Sequence, residues 1–207
     1  MAAALLLAGS VRAAGPSDLR VTVRVYNYAA VSDRVLGDAE SETARIFASA
    51  GISTAWLDCS HSRVPPRSGF TQADEITNPC SASIGADLVL RILSRSTPAS
   101  TAFRDTMFGF AEGGFVASVF YARLEDMADG VYGNRSAISL MLGDVIAHEI
   151  GHLLLGSNSH SRTGVMSGKW DREYLRLASE GFQTFSAKQS AVMRATVLRR
   201  QHENVQP

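Results

Sequence analysis

Hydrophobic and polar residues alternate from Leu19 to Tyr26, with Leu19, Val21, Val23 and Val25 interleaved by Arg20, Thr22, Arg24 and Tyr26, the period-two pattern of a half-buried strand. The period then lengthens. Val35, Leu36, Ala39, Thr43, Ile46, Phe47 and Ala50 share one face of a helix that Ser32 can cap and Gly51 can stop. Ile52–Leu57 reads as a second strand, so the chain opens strand, helix, strand, the order of a right-handed parallel crossover. Asp87–Leu93 is nearly continuous in apolar residues, as a strand covered on both faces must be, and belongs in the middle of a sheet. Phe103–Gly114 is rich in Phe and Gly with little period, and Phe115–Arg123 reads as a further strand. After turn signals at Asp129-Gly130 and Gly133-Asn134, Ala137–Leu155 is the longest apolar-periodic segment. It predicts a helix with Ile138, Leu142, Ile146, Ile150 and Leu153 on a buried stripe and Asp144, His148 and His152 on another. A last helix begins at Ser186, where Gln189 completes a capping box and Ala191, Val192, Ala195 and Leu198 are expected to pack inward.

These elements predict an α/β (α+β) domain built on a twisted mixed sheet. At 207 residues, 45% of them hydrophobic, the chain is the size of one ordinary domain with a substantial core. The formal net charge is zero and the charges are scattered, which argues against a nucleic-acid or anionic-membrane partner. No apolar run reads as long enough to span a bilayer in the mature chain. Residues 1–15 combine a short apolar run with small residues, and Val11 with Ala13, or Ala13 with Gly15, suits signal-peptidase cleavage. The expectation is an export leader followed by a single domain over 16–207, in a secreted or periplasmic protein; the alternative is a plain disordered N-terminus. The two cysteines, Cys59 and Cys80, flank an irregular segment containing Pro65-Pro66 and Asn78-Pro79, and an exported domain with two cysteines normally pairs them. Two unpaired thiols are the alternative.

The chemistry concentrates in His148–Met166, HEIGHLLLGSNSHSRTGVM, which holds three of the five histidines. His148 and His152 are four apart, so on a helix both imidazoles project from one face towards one metal ion. Glu149 can reach a water in an open coordination position and act as general base. Gly156 can end the helix, and Ser157, Asn158 and Ser159 let the chain turn back so that His160 approaches the same metal.

This stretch resembles the metzincin clan of zinc peptidases, and within it the matrixins. The resemblance implies a zincin domain with an antiparallel edge strand, a long active-site helix and a C-terminal helix. It implies one catalytic Zn²⁺ held by His148, His152 and His160, with Glu149 as base and Met166 in a Met-turn beneath the histidines. It also implies a secreted endopeptidase, expected to be a monomer, that binds peptide or protein in extended form along the edge strand, assigned to Phe115–Arg123. Lys169–Glu180, anchored by Trp170, Tyr174 and Leu177, corresponds to the wall of the pocket just after the cut. The spacing departs from the clan: Gly156 comes four residues and His160 eight residues after His152, where three and six are usual. No long inhibitory pro-segment is expected, because the first strand begins within a few residues of the leader.

Two other readings compete. A gluzincin-like peptidase takes its third ligand as a glutamate from a later helix, for which Glu173 is far enough downstream. A non-catalytic binding module uses zinc as a structural clip, although such sites are normally closed by four protein ligands. Asp144, one turn before His148, can orient a ligand from behind or be a plain surface or capping carboxylate. Tyr174 can stabilise an oxyanion or simply pack.

Overall fold

The structure is a computed structural model that describes residues 19–60, 80, 87–95, 107–129, 137–170 and 172–203. The expected leader, the 61–79 segment with His61, and the turn signals at 130–134 lie outside these residues. In chain order the elements are β1 (Arg20–Asn27), α1 (Asp33–Ser49), β2 (Ser53–Asp58), β3 (Leu88–Leu93), β4 (Gly109–Glu112), β5 (Val116–Phe120), α2 (Tyr121–Met127), α3 (Ile138–Leu155), α4 (Arg172–Ser179) and α5 (Ala187–Glu203).

The strands form one five-stranded sheet in the order β2-β1-β3-β5-β4. β1 lies parallel between β2 and β3, placing Val23 beside Trp56 on one side and Leu88 on the other. Such burial from both faces is why β3 is apolar almost throughout. β1 and β2 are joined through α1, whose first turn is capped by Ser32 Oγ accepting from the Val35 N–H at 3.5 Å. The helix stops where Gly51 takes φ +77°, a conformation that only glycine adopts cheaply.

The antiparallel edge is not Phe115–Arg123. β5 runs parallel to β3, is internal to the sheet and ends at Phe120, where the chain passes directly into α2. The edge is β4, paired antiparallel with β5 from Gly109 opposite Val119 to Glu112 opposite Val116. A tight turn joins them, with Gly113 at φ +59° and Gly114 at φ +75°, the paired positive angles of a hairpin whose twist matches its strands. Four residues that include a glycine are too few for alternation to be visible.

α3 is the core of the molecule rather than an amphipathic helix with one buried stripe. Every residue from Met141 to Gly151 is buried, and the helix packs against α1, β4, β5, α4 and α5. By length and composition it can cross a membrane, but 83% of it is buried inside the fold, so its apolar surface is already covered. It approaches α1 closely at Gly143, where a Cβ would lie 2.8 Å from Ala39 O and from Glu42 Cβ. Thr43 Oγ1 donates to Gly143 O at 3.0 Å across the same contact.

In α5 the capping box forms: the Ser186 N–H donates to Gln189 Oε1 at 2.8 Å and the Gln189 N–H to Ser186 Oγ at 3.3 Å. The inward face, however, is Ser190, Met193, Thr196 and Val197, while Ala191, Val192, Ala195 and Leu198 are exposed. A small hydroxyl residue reads as polar in a pattern but is buried at little cost when it bonds its own helix, as Ser190 Oγ does to Ser186 O at 3.0 Å. Cys59 and Cys80 are disulfide-bonded, with Cα atoms 5.7 Å apart, at the end of β2.

Candidate metal centre

α3 presents His148 and His152 one turn apart, and Gly156, at φ +100°, ends the helix and sends the chain back beneath it. Its N–H still bonds His152 O at 2.9 Å, so the helix runs on to Leu155 before the turn. The seven-residue spacer therefore returns His160 to the same point: His152 Nε2 lies 3.1 Å from His148 Nε2 and 3.1 Å from His160 Nε2. Ligand atoms of the three histidines lie within 4.8 Å of one another. Gly168 allows this approach, because a Cβ there would sit 3.2 Å from His160 Nδ1.

The far side of each ring on α3 decides its tautomer. His148 Nδ1 faces Val165 O at 2.8 Å, and a carbonyl only accepts, so Nδ1 carries the hydrogen. His152 Nδ1 lies 3.0 Å from Ser159 Oγ, whose own hydrogen is given to Gly156 O at 2.7 Å, so this Nδ1 also donates. Both Nε2 atoms then carry lone pairs that face each other across 3.1 Å. That repulsion vanishes if a cation sits between them, and hydrogen-bonded Nδ1 donors of this kind hold metal-binding histidines elsewhere. Burial, with the neighbouring imidazoles, pulls His148 down to about 3, and burial followed by His160 also lowers His152. Both are thus neutral around pH 7, the form that binds metal. The donor set fits a divalent ion that accepts imidazole and leaves a position open.

Met166 is fully buried in the turn Gly164–Ser167, closed by the Ser167 N–H on Gly164 O at 2.9 Å. A Cβ on Gly151 would lie 2.5 Å from its sulfur, so the thioether packs directly against the helix turn between the two histidines. The glycine in His-Glu-Ile-Gly-His is what makes room for it.

Glu149 is buried on the side of α3 that faces β4, against Gly109, where a Cβ would lie 2.7 Å from both Cγ and Oε1. Burial raises its carboxyl to about 8. An open cavity of about 500 Å³ is lined by this glutamate, the three histidines, Phe108 and Trp170. Trp170 stands 5.8 Å from the His148 ring and 5.2 Å from Phe108, ring centre to ring centre, and closes the aromatic side. Neither Gly109 nor Phe108 was predicted; the Gly113-Gly114 pair is the sequence signal for the hairpin that carries both.

Three further residues are placed differently from one of their readings. Glu173 is exposed and bonded to Arg176 Nη2 at 2.8 Å, outside the histidine cluster. Tyr174 is buried, and its hydroxyl donates to Val165 O at 3.3 Å, the carbonyl that also holds His148, so it lies behind the cluster rather than in the cavity. Asp144 is neither a surface nor a capping carboxylate: it is fully buried, and neither oxygen has a hydrogen-bond partner among the described residues.

Solved structures share this fold, two of them as follows. The archaemetzincin of Methanopyrus kandleri superposes with a TM-score of 0.53 at 14% identity, over 89% of this chain and 99% of its own. A zinc-dependent peptidase of Methanocorpusculum labreanum superposes with a TM-score of 0.55 at 17% identity, over 83% of this chain and 99% of its own. No family profile and no curated protein matches the sequence.

Proposed function

We propose that this protein is an exported zinc-dependent endopeptidase, with His148, His152 and His160 as ligands of one catalytic Zn²⁺ and Glu149 as general base. The observation that carries the reading is Glu149 itself: a buried carboxyl beside three converging imidazoles, opening on a cavity bounded by β4, the edge of the sheet among the described residues. A structural clip has no use for such a group. The two fold relatives, one of them a zinc-dependent peptidase, support the same class of activity. The matrixin-like part of the proposal is the ligand order with Met166 below it. Export rests on residues 1–15 and the disulfide.

When bound, zinc supplies an acidified water and polarises the scissile carbonyl. The chain's residues do the rest. His148 and His152 are held in one tautomer by Val165 O and Ser159 Oγ, so their Nε2 atoms need no reorganisation. Glu149, which burial alone would keep protonated, would act as its carboxylate, taking the proton of the attacking water and delivering it to the leaving amine. Beside a bound cation Glu149 would hold its proton less tightly and so stand ready as a base. β4, at the edge of the sheet, can offer outward backbone groups to an extended peptide, the form of substrate this reading assigns.

Glu149→Gln keeps shape but cannot take the proton. The variant is expected to fold, bind about one zinc and lose at least about a hundredfold in cleavage of unstructured proteins and peptide libraries. Equal cleavage by variant and wild type, or none by fully zinc-loaded wild type, replaces the enzyme with a zinc-bearing binding module.

A further inference from the structure

Arg200 lies on α5, outside the cavity, yet it touches both walls of the cleft. Its Nη2 donates to Leu153 O at 2.8 Å and to Gly114 O at 2.9 Å, and its guanidinium stacks on the Phe115 ring, 4.9 Å from the ring centre. Leu153 is among the last four residues of α3, whose carbonyls have no partner within the helix, and a cation at that end is favoured by the helix dipole. Gly114 is the second glycine of the hairpin turn that ends the edge strand β4. Gly113, Gly114 and Leu153 all line the cavity. One nitrogen therefore spans the mouth of the cleft, joining the tip of the hairpin to the end of the histidine-bearing helix. Nη1 is buried without a partner among the described residues. That cost is tolerated where the other nitrogen satisfies two carbonyls at once.

We propose that Arg200 is a positioning residue that fixes the opening between β4 and α3, and with it the affinity for extended peptide. A hairpin of four-residue strand and two-glycine turn is a weak unit by itself, and without the clasp its edge wanders relative to α3. A residue that merely caps α3 affects the whole fold evenly. A clasp affects the hairpin alone.

The test is Arg200→Met, which keeps an unbranched apolar stem and loses every donor, with Arg200→Lys as the conservative variant. The Phe115 amide, bonded to Glu112 O, and the Val89 amide, bonded to Phe115 O, report on the hairpin by hydrogen exchange. In Arg200→Met both are expected to exchange at least about tenfold faster, with β1 amides unchanged and most of the protection regained in Arg200→Lys. The kinetic arm rests on the peptidase reading: KM for an extended peptide should rise about tenfold with kcat within about twofold. Exchange within about twofold of wild type at Phe115 and Val89, or equal acceleration throughout the sheet, overturns the clasp. So does a loss carried by kcat rather than KM. Where wild type cuts nothing, the endopeptidase reading fails and the exchange result still decides the role of Arg200.

Discussion

Gly151 is the position at which one methyl group tests the site. Its missing Cβ is the space taken by Met166 Sδ, with Phe185 close behind at 3.1 Å, and both neighbours are buried. Gly151→Ala is expected to destabilise the metal-free protein by about 1–3 kcal/mol, the ordinary cost of overfilling a packed core, measured by urea unfolding. Stability unchanged or increased removes the argument that this glycine makes room for the thioether. His160 is tested against Glu173 by competition with a chromogenic chelator. His160→Ala should weaken zinc by more than about a hundredfold, beyond the loss typical of an outer-shell partner. Glu173→Ala should do almost nothing, since its carboxylate is exposed and bonded to Arg176. The opposite pattern makes Glu173 the third ligand.

α3 joins chemistry to core in one helix, and its Asp144 shows what that costs. Burial, then the nearby Glu42, hold this carboxyl well above its ordinary 3.8, with Arg45 opposing. In acid, below the unfolded-state value, both states are protonated and nothing is lost. As pH rises from there the unfolded chain ionises while the folded one keeps its proton, so stability falls until the folded group also ionises. Asp144→Asn removes this slope: urea unfolding at a series of pH values should show the variant gaining on wild type as pH rises above about 4. Parallel curves exclude the uncompensated carboxyl. β1, β3 and the start of α5 were legible because their patterns are local: alternation, an apolar run and the capping box at Ser186. β4 was not, because Gly109 sits in it for the sake of Glu149, a contact 40 residues away in sequence that no period encodes. The inward face of α5 was misread because hydroxyls that bond their own helix look polar. His148, His152 and His160 were visible as a trio, whereas the carbonyl of Val165 that orients His148 is backbone, and any residue could supply it.

Across the whole molecule the sheet separates two kinds of feature. The cleft runs along β4, and the disulfide closes on β2, the opposite edge, four strand spacings or about 19 Å away. Its loop, with partners 21 residues apart, stabilises the fold by about 3 kcal/mol in the chain-entropy account. Reduction by a phosphine, which brings no thiolate to compete for zinc, is therefore expected to lower the thermal midpoint by several degrees. Zinc content and peptide turnover of the folded fraction should stay within about twofold of the oxidised protein. Loss of zinc in step with reduction would tie the two edges together. With the edges independent, ambient thiols govern how long each molecule survives and leave its working rate untouched, so lifetime and turnover can be adjusted separately at opposite margins of one sheet.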